Sequence, residues 1–274
     1  MKTTGQIRKM VTRLADVAEY QLPLDNELVS LNPLIGSVIS LTHEGEIFCI
    51  ACGRKTRKSF QQGYCFPCVR TLAQCDSCIV RPEQCHYHEG TCREPEWGQK
   101  NCMQDHYVYL ANSSGVKVGI TRATQIPTRW IDQGACQALP IFRVENRYIS
   151  GLLEVALKQH VSDRTNWRKM LQGEPERADL ARQRDQLVEL CQHEIQELKT
   201  RFGEKAITVL ADESAVDIHF PVKVYPDKVC SFNFDKTDEV NGKLLGIKGQ
   251  YLILDTGVLN IRKFAGYRVS LQTR

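Results

Sequence analysis

The residues of this chain best suited to chemistry are its cysteines. There are twelve, and nine of them lie between Cys49 and Cys102. The first four read Cys49-x2-Cys52, twelve residues, then Cys65-x2-Cys68. A C-x-x-C turn points both thiolates at one place, and Gly53 after the first pair suits the left-handed position that closes such a turn. Two such knuckles supply four sulfurs at tetrahedral geometry, which is a structural zinc ribbon with no open position for a substrate. The second run, CDSCIVRPEQCHYHEGTCREPEWGQKNC, offers seven donors: Cys75, Cys78, Cys85, His86, His88, Cys92 and Cys102. One zinc needs four. The expected set is Cys75, Cys78, Cys85 and Cys92, with Cys102, His86 or His88 as alternatives, and an iron–sulfur cluster is the alternative to a second zinc. A reducing compartment favours metal ligation over disulfides for such runs. Cys136, Cys191 and Cys230 are scattered and are expected to pack as small buried hydrophobes.

The loop between the two knuckles, GRKTRKSFQQGY, crowds Arg54, Lys55, Arg57 and Lys58 near Phe60 and Tyr64. Cations and aromatics at a hairpin tip can track phosphates and stack on bases. The net charge is only +4, so the molecule is not a polycation and any grip on nucleic acid must come from such local patches. At 42 % apolar and 25 % charged residues, the composition is that of a globular protein. The N-terminal residues have no signal-like apolar run, and no apolar stretch approaches the ~20 residues that cross a bilayer. The expected location is therefore the cytoplasm, without a membrane partner.

Several elements must position these groups. Residues 1–48 read as β-rich: AEYQLPL alternates, LNPLIG is a turn, and SVISLTHEGEIFCI reads as two strands joined at Glu44-Gly45. Residues 49–105 have little periodic hydrophobicity and cannot build a core of their own. Residues 106–170 change character. Tyr107–Leu110 and Val116–Ile120 are strand-like around an Asn112–Gly115 turn, a short helix follows Pro127 through Trp130 and Ile131 to Gly134, and ALPIFRVE is a strand. Leu152, Leu153, Ala156 and Leu157 then recur at helical spacing, which gives a ββαβα pattern. From Pro175 to Phe202 one long helix is expected, with Leu180, Leu187, Cys191, Ile195, Leu198 and Phe202 in one stripe, a Glu197–Arg201 pair and a stop at Gly203. Residues 205–274 return to short strands, the pattern of a small barrel. They also share a turn–strand–glycine–strand rhythm with residues 31–50, so both ends can belong to one β structure.

The stretch HYVYLANSSGVKVGITR, together with RWIDQGA and GLLEVALKQH, resembles the GIY-YIG nuclease fold, in particular a divergent branch with a KIG-type second motif. Tyr107-Val108-Tyr109 stands at the first motif and Lys117-Val118-Gly119 at the second. Arg129 stands at the helix arginine, with Arg122 as its rival, and Glu154 stands at the metal-binding glutamate. The resemblance implies a catalytic set of Tyr109, Lys117, Arg129 and Glu154, with Mg²⁺ or Mn²⁺ at Glu154 and phosphate approaching at Gly119 and Arg122. The sequence departs from the pattern at the first glycine, here Tyr107, and at the second tyrosine, here Lys117. That second tyrosine helps position or deprotonate the attacking water, so its loss bears on cleavage. Over nearly the whole chain, FCIACGRKTRKSFQQGYCFPC, GTCREPEWG, VKVGITR and GQYLILDTGVLNIRKFAGY resemble DUF2797, a bacterial family whose biochemistry is uncharacterised.

The sequence thus points to an α+β protein in five parts: an N-terminal β segment (1–48), a zinc ribbon and knuckle region (49–105), a GIY-YIG-like domain (106–170), a connector helix (171–204) and a barrel-like β domain (205–274). The expected function is nucleic-acid binding through Arg54, Lys55, Arg57, Lys58, Gly119 and Arg122, with metal-dependent phosphodiester cleavage. The alternative is a non-catalytic scaffold that binds nucleic acid or a protein partner.

Overall fold

The computed structural model of the protein describes residues 2–273. In chain order its strands are β1 (Lys2–Gln6), β2 (Val11–Arg13), β3 (Glu19–Leu24), β4 (Glu27–Ser30), β5 (Val38–Phe48), β6 (Lys55–Thr56), β7 (His106–Asn112), β8 (Val116–Arg122), β9 (Gln137–Val144), β10 (Ile207–Val209), β11 (Val216–Asp217), β12 (Glu239–Lys248), β13 (Tyr251–Leu254), β14 (Gly257–Asn260) and β15 (Tyr267–Thr273). Its helices are α1 (Phe66–Thr71), α2 (Pro95–Asn101), α3 (Thr128–Asp132), α4 (Arg147–Leu157), α5 (Trp167–Gln172), α6 (Leu180–Leu190) and α7 (Gln192–Phe202).

Strands from both ends of the chain share one sheet of order β1-β15-β5-β12-β13-β14, with β6 added to β5. Every pairing in it is antiparallel. The sheet is open, and no barrel closes among the described residues. Its edges find other partners. The β14 edge is met by an irregular segment in which the Val258 N–H donates to the Cys230 carbonyl and the Phe232 N–H to the Val258 carbonyl. At the β1 edge, Ile7 bridges Leu24 of the small β2-β3-β4 sheet. Covering an edge satisfies its backbone groups without closure. The joint expected at Glu44-Gly45 is instead a bulge within β5: His43 faces Val269 and Ile47 faces Tyr267, so extra residues sit on the β5 side. Gly45, at φ +73°, takes the left-handed conformation there.

The middle sheet has the order β10-β9-β7-β8, with β11 also on β9. Strand β7 is buried on both faces, and its alternation sorts its side chains between two cores. Val108 and Leu110 join Ile149, Leu153 and Leu157 of α4 and the stripe on α6 and α7. Tyr109 and Ala111 face the opposite way and join Trp130, Ile131 and the large core of the terminal sheet. The connector expected as one helix is two, meeting at Cys191, whose φ of −102° and ψ of 19° leave the helical region. It also starts later than expected. The Ala178 N–H donates to Gln137 Oε1 and Asn112 Nδ2 donates to the Glu176 carbonyl, so this stretch is tied to the sheet instead of coiling. Asp179 then caps α6. Glu197 pairs with His193 rather than Arg201, and Arg201 lies over Tyr148 and Phe202. Among the scattered cysteines Cys191 is buried and Cys136 half-buried, but Cys230 is exposed and not the packed residue expected.

None of the hydrophobic clusters contains a residue between Ile47 and Val108. This Cys-rich segment rests against α4 instead. Gly151 is the contact point, because a Cβ there would stand 2.3 Å from the Glu83 backbone nitrogen. Helix propensity alone favours Ala over Gly by about 1 kcal/mol, but this contact reverses the sign. Gly151→Ala should lower stability by about 2 kcal/mol, measured as a shift of the urea midpoint. A gain in stability would show that the Pro82–Glu83 turn does not bear on α4.

Candidate metal centre and a buried polar cluster

The first knuckle is the turn of the β5–β6 hairpin. Phe48 pairs with Lys55, the Cys49 N–H donates to the Arg54 carbonyl, and Gly53 takes φ +70°. The second knuckle follows the Phe60–Tyr64 bridge, and Cys65 precedes α1 while Cys68 sits in its first turn. The Ile50 N–H donates to the Gly63 carbonyl and locks the two turns together. The four sulfurs lie within 4.8 Å of one another, and the Cys52 and Cys65 sulfurs are 3.8 Å apart. A tetrahedron with Zn–S of about 2.3 Å has S–S edges of about 3.8 Å. Burial alone would push the Cys49 thiol up, but backbone N–H groups of Cys52, Cys65 and Ala51 outweigh it and bring it down to about 6. Burial and the neighbouring sulfurs drive Cys68 upward. A divalent cation removes that competition by taking all four as thiolates. Cys49, Cys52, Cys65 and Cys68 therefore form a cluster that can bind a zinc ion.

The cations of the intervening loop are exposed. Lys55 is held by Glu46 at 2.8 Å. Lys58 lies over the Phe60 ring at 5.4 Å, Phe60 meets Phe66 at 5.7 Å, and Arg70 lies over Phe66 at 5.8 Å. Phe66, 54 % exposed, and Arg70 were not foreseen. A phenylalanine between two cysteines reads as packing until the knuckle geometry turns it outward.

In the middle domain Tyr109 stands opposite Gly119 in the β7–β8 pair. A Cβ on Gly119 would lie 2.8 Å from the Tyr109 ring and hydroxyl. The space that Gly119 leaves is thus filled by the tyrosine, and the glycine is buried beneath it rather than open to a phosphate. Gln133, at the end of α3, joins the cluster. Its Nε2 donates to the Tyr109 hydroxyl and, at 3.0 Å, to the Arg129 carbonyl, while Lys117 Nζ donates to its Oε1. Val118 N–H donates to the Ser162 carbonyl, which brings Asp163 alongside β8. Arg129 and Glu154 each act electrostatically on Tyr109 and on Lys117, and Asp163 acts on both Lys117 and Glu154. Burial, reinforced by Arg129, lowers Lys117 to about 8. Burial, reinforced by Asp163, pushes Glu154 up to about 7. Arg122 is turned away, with Nη1 donating to Asn101 Oδ1 of α2. Gln133 lies inside RWIDQGA, but nothing in its sequence context marks it; Asp163 is reached only through the β8–Ser162 bridge.

In the second cysteine run Asp76, Cys78 and His86 come within 4.8 Å of one another. Cys75 has Cys49, Cys65, Arg93 and Glu94 as its charged neighbours. It thus lies within electrostatic reach of the first centre, and it does not line the small cavity that Cys78, Cys85, Cys92 and Cys102 share. His88 packs on Tyr148 at 5.0 Å between ring centres.

These features define a mixed α+β protein built around a four-cysteine cluster suited to metal. A family model described as a protein of unknown function (DUF2797) matches residues 36–269, and the chain belongs to that family. No curated protein and no solved structure matches it. Among the described residues no helix is long and apolar enough to cross a membrane.

Because the folded Glu154 titrates near 7 against an ordinary 4.5, the native state binds more protons than the unfolded chain between those values. Stability then falls as pH rises through that window. In metal-free buffer Glu154→Gln should be more stable than wild type at pH 8, by about 2 kcal/mol after allowance for partial exposure. The difference should disappear below about pH 4.5. Thermal melts across this range check it, and a pH-independent difference would rule out the buried carboxylate as its source.

Proposed function

We propose that this protein binds nucleic acid through its zinc-stabilised Cys-rich region and cleaves phosphodiesters in a GIY-YIG-like middle domain. Two thiolate metal centres hold that region in this reading. The observation that carries it is the meeting of Tyr109, Lys117 and the Arg129 backbone at Gln133, with Glu154 and Asp163 acting electrostatically on this cluster from α4 and the loop after it. The exposed loop Arg54–Lys58 and the Phe60–Phe66 surface support nucleic acid as the partner, since cations follow phosphates and rings accept bases.

Glu154 and Asp163 are the carboxylates that would hold Mg²⁺ or Mn²⁺, hard cations that take oxygen donors. When bound, such an ion polarises a phosphoryl oxygen. Arg129 binds the phosphate and faces the charge that grows as water attacks phosphorus and the bond to one ester oxygen breaks. Lys117, in its neutral fraction, accepts the proton from water, and solvent protonates the leaving oxygen. Tyr109 orients the nucleophile through Gln133.

A second reading has its own support. Tyr109 is fully buried and Lys117 is 7 % exposed, which suits a domain that keeps this cluster for structure and uses the Cys-rich face to bind nucleic acid or a protein. A cleavage panel decides between them. With Mn²⁺ or Mg²⁺, single-stranded, double-stranded and branched DNA and structured RNA should include a substrate cut by wild type, and Glu154→Ala should lower the rate at least 100-fold. Retention of these nucleic acids without cutting favours the second reading. Changing Arg54, Lys55, Arg57 and Lys58 together to Ala should weaken binding and flatten its salt dependence. Unchanged affinity would remove the loop from the interface.

A further inference from the structure

The first cysteine cluster accounts for the order of residues 49–72, but residues 73–105 contribute to no hydrophobic cluster and are otherwise held by contacts that include those to α4, Tyr148 and Arg122. The apolar side chains buried in this stretch are Ala73, Cys75, Cys78, Pro82, Cys85 and Cys102. A segment without a core needs another source of folding energy, and metal binding supplies it in small domains.

Four of its thiols line one small cavity, although their sulfurs are not gathered within 4.8 Å of one another as those of the first centre are. Cys78, Cys85, Cys92 and Cys102 share this cavity, of about 10 Å³, with Asp76, His86, Tyr87 and Trp97. That is space on the scale of one water or ion. Each sulfur arrives on its own element: the Ser77–Ile79 turn, the end of the Pro82–Gln84 turn, the loop after Gly90 and the end of α2. The charge around them matches. Cys102, Cys78 and Cys85 are the nearest anionic neighbours of Arg147. Arg147 is fixed by its Nη2 on the Ile79 carbonyl at 2.6 Å and its backbone N–H on the Cys102 carbonyl at 2.9 Å. Its Nε is buried without a partner. A divalent ion with four thiolates carries a net charge of −2, which a guanidinium of this kind offsets.

We infer that Cys78, Cys85, Cys92 and Cys102 hold a second structural zinc, and that Cys75 is not a ligand. Of the competing trio of Asp76, Cys78 and His86, Asp76 is already engaged by other partners, and His86 is held through Nδ1 with its Nε2 3.6 Å from Asp76. Asp76 takes Arg93 Nε at 2.6 Å and Ser77 Oγ at 3.1 Å, and His86 Nδ1 bonds Thr91 Oγ1 at 2.7 Å. This centre gives the Pro82–Glu83 turn a fixed place, and that turn is what Gly151 of α4 packs upon. The inference rests on the reading of the Cys-rich region as metal-bound and not on the nuclease reading, so cleavage assays do not bear on it.

The test is metal content of the full chain by mass spectrometry, with folding checked by circular dichroism. Wild type, Cys75→Ser and His86→Ala should carry two zinc ions per chain, and Cys52→Ser and Cys102→Ser one each, from different centres. X-ray absorption at the zinc edge needs no variant and should give four sulfurs per zinc, even where Cys102→Ser fails to fold. One zinc in wild type, loss of the second zinc in Cys75→Ser or His86→Ala, nitrogen or oxygen in the zinc shell, or a brown protein containing iron would each overturn the assignment.

Discussion

The arrangement of the middle of this protein depends on one strand being buried on both faces. Strand β7 sends Val108 and Leu110 to the helical core and Tyr109 and Ala111 to the core shared with the terminal sheet. Its register with β8 and β9 therefore cannot slip by one residue without exchanging the two sets. That constraint fixes Tyr109 over Gly119. It thereby fixes where Gln133, Arg129 and Lys117 can meet the tyrosine. The glycine is required by the ring of its cross-strand partner, and this explains its presence without any ligand.

The Cys-rich segment obeys a different physics. Where the two sheets are held by buried apolar area, this segment has turns, short helices and thiols. Its contacts with the rest include β6 continuing β5, Arg122 on Asn101, Arg147 on Ile79 and Cys102, His88 on Tyr148, and α4 against the Pro82–Glu83 turn. Metal–thiolate bonds in such a segment are worth more than the marginal stability of a small domain, so its position relative to α4 follows the metal content of the protein.

Legibility in the sequence followed the range of the interaction involved. The Cys49–Cys68 knuckles, the β7–β8 hairpin and α4 were readable because each is set by residues within a few positions of one another. The late start of α6 was not, because it reflects Gln137 and Asn112 capturing the chain before Asp179, bonds that span tens of residues. The open sheet was misread as a barrel for the same reason: strand spacing says nothing of whether Cys230–Phe232 covers the β14 edge. In the second cysteine run, C-x2-C spacing pointed to Cys75 and Cys78 as co-ligands. The two sit on successive 3₁₀ turns, and only Cys78 lines the small cavity shared with Cys85, Cys92 and Cys102, a placement that spacing cannot reveal.

The electrostatics of the polar cluster carry the functional argument one step further. Lys117 and Glu154 attract each other, yet burial moves each toward its neutral form, Lys117 down to about 8 and Glu154 up to about 7. Desolvation thus exceeds their mutual attraction. A cluster selected only for stability would replace such groups with apolar ones. Keeping a lysine and a carboxylate that both change charge near neutrality, beside Arg129, leaves a place where a proton can be accepted at little cost. A divalent cation would add to this by favouring the carboxylate and opposing the ammonium, pushing Glu154 and Lys117 toward the forms that hydrolysis of a phosphodiester requires.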